Sequence, residues 1–217
     1  MMSLSHGDLC VIAKGFLMKS FSRGGHGCRV ATMEPKISFL DGESPDAIGF
    51  RVSSPSYGGG SVVVECKTSR SDFLSDRKKP HRISPSSGMG RFRYYLCPKD
   101  MISREELPDG WGLLYLGSRK CVSVVCGAIE TLQGTGPRDF SGYDFGQTGY
   151  NSIRETLLLS HLLGRVSDAD AVHERLRNAD RANAALVREI QKQKHYIHEQ
   201  DKVIAREILA RRRERSQ

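Results

Sequence analysis

Apolar residues Leu9, Ile12, Ala13, Phe16 and Leu17 recur at helical spacing between His6 and Lys19, with Ser5 placed to cap the first turn, so the chain should open with an amphipathic helix. The glycine-rich run at 22–27 ends it, and residues 28–39 read as a first strand whose internal Pro35 favours an edge or a bulge. Three consecutive valines, Val62 to Val64, stand behind glycines 58–60 and read as a strand buried on both faces. Residues 46–52 should pair with it as a hairpin across those glycines. Ser69 or Ser71 then caps a helix from about Asp72 to Lys79, with Phe73 and Leu74 facing the sheet and Pro80 ending it. Residues 81–91, rich in Ser, Gly and Pro, read as a loop suited to clamping a backbone. Strands at 92–97 and 112–116, a helical turn at 102–107 and a short strand at 122–125 complete a mixed sheet.

The last third has a different pattern. Residues 134–149 are glycine-rich, with Phe140, Tyr143 and Phe145 interspersed, and read as irregular. Asn151 or Ser152, with Glu155, makes a capping box for an apolar helix through Leu163, and Gly164 breaks it. Ser167 or Asp168 caps a long helix to about Arg213 that contains neither Gly nor Pro. Val172, Leu176, Ala179, Leu186, Ile190, Ile197 and Ile204 keep a heptad-like spacing along it, interrupted by Asn183, Gln193 and Gln200. The pattern predicts a parallel or antiparallel coiled-coil homodimer, against the plainer reading of one helix packed on its own domain or extended in solvent. It also predicts two domains, 1–150 and 151–217.

Side chains alternate along a strand, so Glu65 and Lys67 leave the valine strand on one side. The hairpin carries Asp46 to the same end. Two carboxylates and the Cys66 carbonyl make a hard oxygen site suited to Mg²⁺ or Mn²⁺, and the Lys67 ammonium can hold a phosphate or help activate a water. The plainer reading is an exposed ion pair on an edge strand, with Asp46 a turn residue after Pro45; the valine run, which marks a central strand, argues against it. Asp46, Glu65 and Lys67 are therefore the catalytic candidates, and Asp46, Glu65 and Cys66 the metal ligands.

Pro45-Asp46 followed by Glu65-Cys66-Lys67, with nineteen residues from the Asp to the Glu, resembles the PD-(D/E)xK nuclease superfamily. The continuation from Thr68 to Lys78 resembles more particularly the MmcB-like DNA-repair nucleases and related small phage and bacterial proteins. The resemblance runs from about Gly7 to Leu116, roughly half of the chain. It implies an α/β fold with a restriction-endonuclease-like core in the order αβββαβ, and a metal-dependent nuclease with DNA as its partner. In that superfamily the opening helix often carries a further acid near the metal. Here the opening helix offers only Asp8, and Glu34 is taken as the helper acid, which leaves the number of ions open.

The 217 residues carry a net charge of +8, which suits a polyanionic partner. Between Arg77 and Arg93 there are six Arg or Lys and no Asp or Glu, directly after the candidate site. Arg70, Arg77, Lys78, Lys79, Arg82 and Arg91 are therefore the candidate nucleic-acid contacts. Six scattered cysteines, with no CxxC pair and no His at finger spacing, read as ordinary core residues. No apolar run is long enough for a membrane span and the N-terminus lacks a signal-like core, so a cytoplasmic protein is expected. The competing functional class is a non-catalytic, dimeric nucleic-acid-binding adaptor on a nuclease fold.

Overall fold

The computed structural model describes residues 4–35, 44–131, 139–140, 142–165 and 168–214. They form helices α1 (His6–Met18), α2 (Arg70–Asp76), α3 (Pro80–Ile83), α4 (Ala128–Thr131), α5 (Phe145–Thr148), α6 (Ser152–Gly164) and α7 (Ala169–Glu214). Six strands, β1 (Val30–Met33), β2 (Ala47–Arg51), β3 (Gly60–Cys66), β4 (Phe92–Pro98), β5 (Trp111–Leu116) and β6 (Val122–Cys126), make one sheet in sequential order. The β1–β2 and β2–β3 pairs are antiparallel, β3–β4 and β4–β5 parallel, and β5–β6 antiparallel. The fold is thus mixed α/β with a long C-terminal helix.

Alternation along the strands explains the two layers. Val62, Val64 and Cys66 of β3, with Phe92, Tyr94 and Leu96 of β4, pack against Leu9, Ala13, Phe16 and Leu17 of α1. The other face carries Tyr95, Cys97, Trp111 and Leu113 against Phe73 of α2. β3 and β4 are central strands covered on both faces, which is why β3 reads as an unbroken valine run. α1 starts as its sequence indicates: Ser5 Oγ accepts from the Asp8 amide, and the Asp8 carboxylate accepts from the Ser5 amide at 3.0 Å.

Several boundaries differ from expectation. β1 is four residues long and ends at Met33, so Pro35 lies beyond the strand; residues 36–39 lie outside the described residues. The helix after β3 ends at Asp76, and Pro80 opens the separate turn of α3, since a proline lacking its N–H is best tolerated at a helix start. Of the two residues expected on the sheet, Phe73 is buried and Leu74 is exposed. The 81–91 segment is pinned rather than a free clamp: the Arg93 guanidinium donates to the carbonyls of Pro85, Gly88 and Gly90 at 2.8–3.0 Å. Asn151 caps α6 through the Arg154 amide, but Glu155 does not complete a capping box; it accepts from the Gly90 amide at 2.7 Å.

By contact density the chain divides into residues 1–161 and 162–217. The division falls inside α6 rather than at residue 150, because Leu158 and Glu155 are buried in the first unit. In the second, α7 runs for 46 residues, roughly 70 Å at about 1.5 Å per residue, and Asp168 caps it by accepting from the Ala171 amide. Among the described residues no helix is long and apolar enough to cross a membrane.

Candidate active site

The β2–β3 hairpin sets Ala47 opposite Val64, so Asp46 enters the sheet level with Glu65. Its Oδ2 accepts from the Cys66 amide at 2.7 Å, and its Oδ1 lies 3.1 Å from His6 Nε2 at the start of α1. Glu65 and Lys67 point to the opposite face from Cys66, beneath α2 and α3. Glu65 and Lys67 thus meet at the C-terminal end of β3, while Asp46, level with Glu65 in register, turns its carboxylate to the Cys66 amide and to His6. Cys66 gives its N–H to Asp46, and its thiol lies in the α1 layer, where a hydrogen bond with the Cys10 thiol and then burial push its pKa far up.

Glu65 and Lys67 are each only 3% exposed at the side chain and belong to a buried ionic network. Lys67 Nζ lies 3.2 Å from Asp76 and 3.8 Å from both Glu65 and Asp72. Asp72 and Asp76 are four apart on α2, so both carboxylates face the same ammonium. Arg82 on α3 closes the network. Its Nη2 is 3.0 Å from Glu65 Oε1, its Nε donates to Asp76 Oδ2 at 2.8 Å, and its plane stacks 4.5 Å from the Trp111 ring. Tyr95 donates its hydroxyl to Asp76 at 2.8 Å and stacks on Trp111 at 4.5 Å. Lys79 reaches Asp76 from the surface at 2.7 Å.

Two buried acids, Glu65 and Asp76, thus balance two buried cations, Lys67 and Arg82. Charges of this kind are tolerated in an interior only when paired and hydrogen-bonded. Burial would raise the Asp76 carboxyl, but Arg82, Lys79 and Lys67 outweigh it and hold the pKa well below the carboxylate range. Burial opposes the charge on Arg82 as well, and Glu65, Tyr95 and Asp76 outweigh it. Glu65 goes the other way: burial pushes its pKa up against the pull of Arg82, and repulsion from Asp46 adds to the rise. Next to Arg82, burial and the neighbouring cations Arg82 and Lys79 push the His81 imidazole down to about 4.

The basic block divides in two. Arg70, Arg77, Lys78 and Lys79 are exposed, Arg70 paired with Glu106 and Lys79 with Asp76. Arg82 is internal, contrary to the expectation that it meets phosphate. Arg91 also turns inward, to Asp144 at 2.5 Å and to the Gly59 carbonyl at 2.6 Å. Glu34 adopts a left-handed backbone at φ 41°, donates its amide to the Asp46 carbonyl, and brings Oε1 to 3.9 Å from His6 Nε2.

Asp76, Tyr95, Trp111 and His6 are the site residues absent from the sequence candidates, while Arg82 is a candidate there for a different role. Asp72 and Asp76 at i, i+4 gave a signal for the first; the others depend on tertiary placement. Two clefts, of about 390 and 600 Å³, open beside Arg91, Asp144 and Phe145, where β3 and β4 begin, and not at the Asp46–Glu65–Lys67 end.

For a divalent ion the donors are chemically suitable: the Asp46 and Glu65 carboxylates are hard oxygens. An ion held by both would have to compete with Arg82 for Glu65. Compared with models of known families, with curated proteins and with solved structures, the chain gives no match.

Proposed function

We propose that the chain is a metal-dependent nuclease that hydrolyses phosphodiester bonds, with DNA as the favoured substrate and Mg²⁺ or Mn²⁺ as the ion. The observation that carries this reading is the Glu65–Lys67 pair at the C-terminal end of a central strand, with Asp46 level with Glu65 on the neighbouring strand and its carboxylate fixed by the Cys66 amide. The element order α-β-β-β-α-β, counted from α1 to β4 with α2 and α3 as one helical layer, supports a restriction-endonuclease-like core.

Asp46 and Glu65 would hold the ion, which supplies Lewis acidity toward the phosphate and acidifies a water. Asp76 and Asp72 orient the Lys67 ammonium, which steers the nucleophile or the scissile phosphate. Arg70, Arg77, Lys78 and Lys79 track the phosphate backbone from the exposed side of α2. The stripe along α7 pairs two copies of the chain.

One observation favours a second reading, a dimeric nucleic-acid-binding adaptor without turnover: Glu65 and Lys67 are both buried, and Arg82 already neutralises the acid. Incubating the purified protein with single- and double-stranded DNA and RNA, with Mg²⁺, with Mn²⁺ and with chelator, separates the two. The nuclease reading expects metal-dependent products from at least one substrate; binding without cleavage in every arm supports the adaptor.

A further inference from the structure

His6 and Cys10 are four residues apart on α1, which places the imidazole and the thiol on one face of the helix, a turn apart. Asp46, arriving from the start of β2, meets that face. A ring nitrogen of His6, Cys10 Sγ and an Asp46 carboxylate oxygen all lie within 4.8 Å of one another, and His6 Nε2 is 3.1 Å from Asp46 Oδ1. Ligand atoms around a tetrahedral Zn²⁺, at about 2.0–2.3 Å from the ion, stand roughly 3.5 Å apart, so an ion need draw these three together by little more than an ångström.

We propose that His6, Cys10 and Asp46 form a binding site for a borderline transition-metal ion of the Zn²⁺ class. An imidazole and a thiol are poor partners for Mg²⁺ and good ones for Zn²⁺ or Co²⁺. The site is pre-oriented. The Cys66 amide holds Asp46 Oδ2, leaving Oδ1 turned toward His6, which is the outer hydrogen bond that a metal-binding carboxylate needs. Glu34 Oε1, 3.9 Å from His6 Nε2, lies within reach of the fourth position. His6 is 41% exposed and Cys10 is buried, so the ion enters past the imidazole and the thiolate closes the inner side. On binding, the Cys10 thiol gives up its proton to solvent, and His6 ligates through Nε2 as a neutral imidazole with its proton on Nδ1.

This site shares Asp46 with the proposed nuclease centre but uses neither Glu65 nor Lys67, so it stands or falls separately. The test is titration of the metal-free, full-length protein with Co²⁺, read by absorption. The wild type is expected to bind one Co²⁺ with a thiolate-to-cobalt charge-transfer band in the near ultraviolet, which added Zn²⁺ removes. Cys10→Ser, a nearly isosteric change, should abolish the band, and His6→Gln should weaken Co²⁺ binding by more than about tenfold. Glu65→Gln should leave band and affinity unchanged, even where it abolishes cleavage. Absence of the band in the folded wild type would overturn the site. So would a band that survives Cys10→Ser and is lost in Cys66→Ser.

Discussion

Arg82 Nη2 lies 3.0 Å from Glu65 Oε1, and both side chains are buried. Both are shielded from water, so removing Arg82 takes the nearer cation from Glu65, leaving it Lys67 at 3.8 Å, and takes a direct hydrogen bond from Asp76. Arg82→Met is therefore expected to cost about 3–5 kcal/mol in urea unfolding, far above a surface pair. The same variant frees the Glu65 carboxylate, and Mn²⁺ affinity measured by calorimetry should rise. Unchanged Mn²⁺ affinity in the folded variant would remove Glu65 from the ligand set.

Lys67 and Asp76, 3.2 Å apart, should show strong energetic coupling. Lys67→Met and Asp76→Asn should each destabilise the protein by a few kcal/mol, and the double variant by less than their sum. Additive unfolding free energies would show that the contact carries no stability of its own.

Acid should destabilise the fold through two histidines. His26 is wholly buried, and burial with the nearby Arg51 charge lowers its pKa to about 3; its Nε2 pairs with the Tyr94 hydroxyl at 2.9 Å. His81 is lowered to about 4. Both pKa values lie below the unfolded value near 6.5, so the unfolded chain binds more protons in between. Stability should be full above about pH 6.5 and fall progressively toward pH 4 and below. The midpoint temperature followed across this range should lose part of its slope in His81→Asn. An unaltered slope would mean that His81 protonates freely in the folded state.

The exposed half of the basic block should carry the salt dependence of nucleic-acid binding. Neutralising Arg77, Lys78 and Lys79 to Gln should flatten the plot of log affinity against log salt by about 0.9 per lost contact on duplex DNA. Neutralising Arg91, which is held by Asp144, should leave the slope unchanged. Equal effects from both sets would show that Arg91 leaves Asp144 to meet the ligand.

Leu176, Leu186, Ile190 and Ile197 are each at least 50% exposed on α7. A helix this long needs a covered stripe to be stable in water. Sedimentation should show a homodimer for the full chain and a folded monomer when it is cut after Gly164, since residues 1–161 form a unit of their own. A dimeric truncation would locate the interface elsewhere.

Local signals explain which parts of this arrangement were legible in sequence. The valine run fixed β3 as central, the glycine turn paired β2 with it, and strand alternation placed Glu65 and Lys67 on one side; all are short-range properties. The fate of the basic block is not short-range. Arg82 finds Glu65 seventeen positions earlier in the chain, Arg91 finds Asp144 from beyond β6, and Arg93 binds three backbone carbonyls of its own loop. A run of cations looks the same in sequence whether it meets solvent or folds inward. His6 and Cys10 were likewise hidden, because a histidine at a helix start and a cysteine among apolar residues are ordinary until Asp46 is brought beside them.

The central claim is that Asp46, Glu65 and Lys67 form one hydrolytic site, and metal-dependent cleavage by matched isosteric variants tests it most directly. With folding verified by circular dichroism, the wild type should cleave DNA in Mg²⁺ or Mn²⁺, while Asp46→Asn, Glu65→Gln and Lys67→Met should each lose at least about a hundredfold in rate and still bind the substrate. Cleavage undiminished in any of the three, or a folded wild type that cleaves no nucleic acid with either ion, would contradict it.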